Sequence, residues 1–132
     1  MQIKNEKKAL VVDDEKGVRD LFKILLEHEE YKVDTANDGL EGVEFVKKYP
    51  YDIIFLDVHM PRLTGPEALK EIMKIKPKSV VVIFSSSSDT ELSFEKEAKS
   101  LGAFTCLYKP VNIDEIIGVI KEAVNNSKIR KN

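Results

Sequence analysis

The chain has 132 residues, 42% of them hydrophobic and 33% charged, with a formal charge of -2. This is the size and composition of one soluble globular domain, and a faintly acidic chain has no electrostatic draw toward nucleic acid or an anionic membrane. The lone cysteine, Cys106, excludes an intramolecular disulfide or a thiolate zinc cluster, and no signal-peptide core or membrane-length apolar run is present, so the expectation is a cytoplasmic, single-domain protein.

In chain order, ALVV (9–12) is a short unbroken apolar run, the pattern of a strand covered on both faces. It runs into Asp13 and Asp14. Val18, Leu21, Phe22 and Leu25 then recur at helical spacing. KVDTA (32–36) is strand-like but mixes polar with apolar positions, as edge strands do, and Leu40, Val43 and Val46 mark a second helix. IIFL (53–56) is the second apolar run and ends in Asp57. After it, Thr64-Gly65-Pro66 leads into a helical stripe of Ala68, Leu69, Ile72 and Met73, the proline suiting a first helical turn. VVVIF (80–84) is the third apolar run and is followed by serines 85–88. Residues 90–101 carry only a thin stripe of Phe94, Ala98 and Leu101. AFTCLY (103–108) is a second mixed strand, leading to Lys109 and Pro110. Ile113, Ile116, Ile117, Ile120 and Val124 form the last stripe, with Asn112 placed to cap it.

Five strands alternating with five helices predict a doubly wound parallel sheet with helices on both faces. The three apolar strands should be central and the two mixed ones outermost, which the flavodoxin-like order 2-1-3-4-5 satisfies. In such a sheet ligands bind beyond the carboxyl ends of the strands. Those ends carry Asp13 and Asp14, Asp57, Ser85, and Lys109 followed by Pro110. Taken singly, each has an ordinary use: an Asp pair before a helix caps it, a Ser after a strand makes a turn, a Lys before Pro is solvated. Taken together, three carboxylates, a hydroxyl and an ammonium converge on one crevice.

Two like charges about 4 Å apart repel by roughly 4 kcal/mol at an effective dielectric near 20. The pocket therefore calls for protons or a cation, and Lys109 supplies only one positive charge. A divalent ion balances the rest. Oxygen ligands point to Mg²⁺ or a similar hard ion such as Mn²⁺, and the one imidazole nearby, His59, makes a poor zinc site without cysteine. A metal beside a carboxylate and a lysine is equipment for handling phosphate, with Asp57 the nucleophile at the centre of the sheet. No GxxxxGK[ST] loop is present, so the phosphoryl group is expected to arrive on a partner or a small molecule.

The set VVDDE (11–15), FLDVHMP (55–61), Ser85 and YKP (108–110) resembles the CheY-like receiver domain of two-component response regulators over roughly residues 7–127. The resemblance implies that Asp57 accepts a phosphoryl group from a phosphohistidine on a sensor histidine kinase or histidine phosphotransfer protein. It implies that Asp13, Asp14 and Asp57, with the backbone carbonyl of His59, bind Mg²⁺. Lys109 would contact the acyl phosphate and Ser85 would hydrogen-bond it, drawing the next loop inward. The bond to Pro110 is expected to be cis. Gly65 matches the family's glycine after the phosphoacceptor strand, and Gly102-Ala103 its Gly-Ala before the last strand. The chemistry is that of a signalling phosphoacceptor with at most self-phosphorylation from small donors and self-dephosphorylation.

Some positions depart from the family's pattern. Ser85 directly follows the apolar run, whereas counting back from Lys109 by a common family spacing reaches Ser87. Cys106 stands where the family often has an aromatic switch; Phe104, expected on the same face, and Tyr108 are the nearest aromatics. His59 occupies a position that in the family lies near the attacking water and tunes hydrolysis, while by itself it reads as a solvated loop histidine. A haloacid-dehalogenase-type phosphatase also uses a strand-end Asp with Mg²⁺, but needs a second acid where His59 stands. A flavodoxin-like flavin site would set its phosphate against three carboxylates. A receiver that acts by binding alone is the other reading. No second motif set accompanies the receiver, so output is expected through a partner, unless this is the receiver part of a longer regulator. The resemblance implies that a protein target docks on the 90–120 face, with a phosphatase as a further partner. The basic ending SKIRKN (127–132) suits a natural tail or the start of a linker.

Overall fold

The computed structural model describes residues 6–58, 60, 62–86, 91–109 and 112–131, the side chains of 86, 91–94, 109 and 126–131 excepted. Strands and helices alternate throughout: β1 (Lys7–Val12), α1 (Lys16–His28), β2 (Tyr31–Ala36), α2 (Gly39–Lys48), β3 (Ile53–Asp57), α3 (Gly65–Ile75), β4 (Val81–Ser86), α4 (Glu91–Ser100), β5 (Thr105–Lys109) and α5 (Ile113–Lys131). All strand pairs are parallel, in the order β2-β1-β3-β4-β5. The apolar strands are central because helices cover both their faces. The mixed strands lie at the edges, where burial is incomplete.

Alternation of side chains along each strand divides the core into two layers. Ala9, Val11, Ile53, Phe55, Val82 and Phe84 face α1 and α5. Leu10, Val12, Ile54, Leu56, Val81 and Ile83 face α2, α3 and α4. The first layer is anchored by Phe22 of α1, whose ring stacks on Phe84 at 5.1 Å and meets Phe55 edge-on at 4.9 Å. Such aromatic pairs add attraction beyond simple area burial. These rings tie α1 to β3 and β4 two residues before Asp57 and one before Ser85.

The helical stripes differ in detail from their sequence pattern. Leu21, Leu40 and Ile113 are exposed, at 37%, 43% and 50%, whereas Leu26, Val119 and Ala123 are buried. Leu40 and Ile113 stand in the first turns of their helices. α2 comes close to the sheet at Gly42, where a Cβ would lie 2.9 Å from Val12 Cγ2. Phe104 packs against the α1–α5 layer, while Cys106 packs against the opposite one, so the two do not share a face as expected. The reason is that Phe104 precedes β5 and lies outside its strict alternation. Among the described residues, no helix is long and apolar enough to cross a membrane.

Candidate functional site

The parallel sheet brings the carboxyl ends of β1 and β3 side by side, since Ala9 to Val12 pair with Ile53 to Leu56. Asp13 and Asp57 follow at the same level. Carboxylate oxygens of Asp13, Asp14 and Asp57 lie within 4.8 Å of one another. Asp13 and Asp57 are almost fully buried, at 0% and 3% exposed, while Asp14 opens to solvent.

Capping does not account for the aspartate pair. The residue at the cap position of α1 is Glu15, and it makes no side-chain cap bond. The Asp13 carboxylate instead accepts the Glu15 N–H at 2.8 Å, turning the chain toward α1. The Asp13 backbone is held from both sides: its N–H donates to the Ala36 carbonyl at 3.1 Å, and its carbonyl accepts from Arg19 Nη1 at 2.8 Å. Fixed backbone and paired strands thus hold three like charges together in a partly buried site. That costs stability unless a cation or protons offset it. The donor set fits Mg²⁺: oxygen ligands only, few of them, and one open, solvated side for the waters this ion retains.

The loop after Asp57 is packed down tightly. Val58 and Met60 are buried in the α2–α4 layer. The Val58 N–H donates to the Phe84 carbonyl at 3.0 Å, and its carbonyl accepts from Gly65 at 2.9 Å. Gly65 is required by this approach, since a Cβ there would overlap the Asp57 carbonyl oxygen and come within 2.7 Å of Val58 Cα. α3 then starts from a capping box: the Thr64 hydroxyl accepts the Glu67 N–H, and the Glu67 carboxylate accepts the Thr64 N–H. Pro66 sits in the first turn, as its fixed φ favours.

Ser85 is 1% exposed and lies within β4, which continues to Ser86, rather than just beyond the strand. It immediately follows Phe84, the register partner of Asp57, and pairs with Tyr108. β5 ends at Lys109, opposite Ser86, on the same sheet edge as the carboxylates. Cys106 pairs with Ile83, well below that edge, and burial pushes its thiol up to about 11. Tyr108 reaches α4 instead, donating its hydroxyl to Glu95 at 2.8 Å. His59, Ser87 and Pro110 lie outside the described residues.

Two residues that sequence reasoning passed over line the same edge. Asp38 caps α2 by accepting the Glu41 N–H at 2.9 Å, and Arg62 binds the same carboxylate through Nη2 at 2.6 Å and Nε at 3.1 Å. An Asp three residues before a Glu is a readable cap signal. Nothing in the sequence pairs Asp38 with Arg62.

The response regulator receiver domain family matches residues 9–121. Among curated proteins, the chain is 39% identical over 120 residues to the transcriptional regulatory protein CpxR homolog of Haemophilus influenzae, covering 91% of this chain and 51% of that protein. It is 36% identical to sporulation initiation phosphotransferase F of Bacillus subtilis, covering 87% of this chain and 91% of the relative. The chain thus spans about half the length of some curated relatives, the cell cycle response regulator CtrA of Brucella ovis among them. A receiver domain structure from Clostridium thermocellum superposes with a TM-score of 0.85 at 34% identity, over 93% of this chain and 98% of that one. A CheY-like receiver domain protein from Methanospirillum hungatei gives a TM-score of 0.88 at 26% identity, over 96% and 99%.

Proposed function

The chain belongs to the response regulator receiver domain family of two-component signalling, and on that premise we propose that Asp57 is its phosphoacceptor, with Asp13 and Asp14 as the metal-binding carboxylates. The observation that carries this reading is the meeting of three carboxylates within 4.8 Å at two adjacent strand ends, with none of them used to cap α1. Receivers of this family bind Mg²⁺ through acidic residues, and when bound it would neutralise charge on the transferring phosphoryl oxygens. Asp13, Asp14 and Asp57 would hold it, with the carbonyl of His59 completing the protein ligands.

In the transfer itself, an Asp57 carboxylate oxygen attacks the phosphorus of a phosphohistidine on a sensor kinase or phosphotransfer protein. The P–N bond breaks, its electron pair returns to the imidazole nitrogen, and an aspartyl phosphate forms. Lys109 and Ser85 bind phosphoryl oxygens, and Ser85 rather than Ser87 supplies the hydroxyl because it adjoins the register partner of Asp57. The central position of Asp57, braced by Phe55 and Phe84, fixes the nucleophile's direction, which is most of what positioning contributes to such a step. Small phosphodonors serve the same nucleophile, and water later hydrolyses the acyl phosphate. The whole chain acts as one cytoplasmic receiver, core about 7–127, whose phosphorylated form binds a protein target through its 90–120 face.

Incubation with acetyl phosphate and Mg²⁺ should add one phosphoryl mass, labile to hydroxylamine, and Asp57→Asn should abolish the addition. An unmodified wild type, under conditions that modify another receiver, would sink the reading. Capture of a target with and without beryllofluoride tests the output face.

A further inference from the structure

The sheet order sets β1 between β2 and β3, so any link from the end of β2 to the loop after β3 must span the end of β1. Asp13 and Asp14 lie there. Such a link exists: Asp38, at the start of α2, binds Arg62, in the loop after Asp57, through both Nε and Nη2. Each end is anchored. The Asp38 carboxylate also accepts the Glu41 N–H, and the Glu41 carboxylate accepts the Asn37 N–H at 2.6 Å, so the junction before α2 is bonded twice. Two residues upstream, the Ala36 carbonyl accepts the N–H of Asp13 itself. On the other side, Leu63 presses on Gly39 so closely that a Cβ at that glycine would overlap the Leu63 carbonyl oxygen.

Arg62 makes this contact from a left-handed backbone, φ 70°, which disfavours any residue with a side chain. A glycine would suit the turn better, so the guanidinium is there at a conformational cost. The chain from Asp13 enters α1, which packs on the opposite layer, so the pair lies on the α2–α3 side of the acidic cluster.

We propose that the Asp38–Arg62 pair is a strap that positions the loop after Asp57 against the end of β2, holding Asp57 at its distance from Asp13 and Asp14 and thereby setting the pocket's affinity for a divalent cation. The role in cation binding rests on the metal-dependent reading above. Asp38 and Arg62 are positioning residues, since neither belongs to the carboxylate cluster.

Arg62→Gly is the decisive variant, because two other effects run the opposite way. It removes a positive charge near an acidic pocket, which by itself would tighten cation binding, and it relieves the backbone, which favours the fold. A strap predicts instead that the Mg²⁺ Kd, measured by calorimetry, weakens about three- to fivefold, the scale of an exposed ion pair. Asp38→Asn keeps the α2 cap and should weaken binding similarly, the double variant should be no worse than either single one, and Arg62→Lys should recover part of the loss. In metal-free protein, amide exchange at residues 62–64 should rise in both single variants. Unchanged or tighter Mg²⁺ binding by Arg62→Gly, or exchange equal to wild type, would overturn the strap. A wild type that binds no Mg²⁺ overturns the functional reading and with it the strap's role in cation binding, a failure distinguished from loss of the strap by the exchange measured without metal.

Discussion

Two helices begin beside the acidic pocket, and they begin differently. α3 opens from a complete capping box, Thr64 with Glu67, and a proline in its first turn. α1 follows two aspartates yet opens from Glu15 without a side-chain cap. The same chemistry is available at both places: short polar side chains just before a helix. At α3 it satisfies the helix's unpaired N–H groups, which stabilises the fold by about 1 kcal/mol. At α1 the aspartates stand before the cap residue, Asp13 accepting the N–H of Glu15, and their carboxylates gather with that of Asp57, where like charges oppose folding.

Substitutions on the two sides of Asp57 should therefore move stability in opposite directions. The largest effect is expected at Gly65→Ala, where the new methyl meets the backbone of Asp57 and Val58. Urea unfolding should show a loss of about 3 kcal/mol, and a neutral result would mean that α3 can step back from the strand. Asp57→Asn should do the reverse, raising stability by about 1–2 kcal/mol as one charge leaves the cluster. Mg²⁺ should raise the Tm of the wild type and add little to this variant. A destabilised Asp57→Asn would mean that the carboxylate cluster does not oppose folding. Thr64→Ala should cost about 1 kcal/mol through the cap, with phosphorylation by acetyl phosphate still complete, because the hydroxyl serves only the helix.

The smallest effect concerns pH and the cap of α2. Burial alone would raise the Asp38 carboxyl, but the Glu41 amide and Arg62 outweigh it and hold the group below its ordinary 3.8. A carboxyl depressed on folding contributes stability that is present above its unfolded value and is lost as pH falls through the folded one. Wild type should accordingly exceed Asp38→Asn in stability at pH 6, and the gap should narrow below 3.8. Unfolding curves at the two pH values check the sign. A gap that widens in acid would remove Asp38 from the stabilising side of the comparison.

Much of this was legible because the signals are local or periodic. Apolar runs at 9–12, 53–56 and 80–84 mark central strands, since only a strand covered on both faces can bury every side chain in sequence. Asp57 stood out because a carboxylate after such a run has no packing role. The Asn112 cap was readable for the same reason and is present, its Oδ1 accepting the Glu115 N–H at 3.0 Å. Helix faces were less legible. The stripes correctly include Ala68 and Ala98, yet Leu21, Leu40 and Ile113 are exposed while Leu26, Val119 and Ala123, outside them, are buried. Which face a helix buries depends on where the sheet lies, and periodicity leaves the phase open by one residue in either direction.

The sequence alone determined the alternation of elements, the strand order and the gathering of Asp13, Asp14 and Asp57, because each follows from burial and chain direction in a parallel sheet. Only the tertiary structure decided that α1 is left uncapped by those aspartates, that Phe104 and Cys106 face opposite layers, and that Arg62 reaches Asp38. The last of these is a contact between segments far apart in the chain, made where Leu63 comes close against Gly39. Composition and spacing carry no record of such approaches, because a glycine reads the same whether it bends the chain or lets another part of it come near.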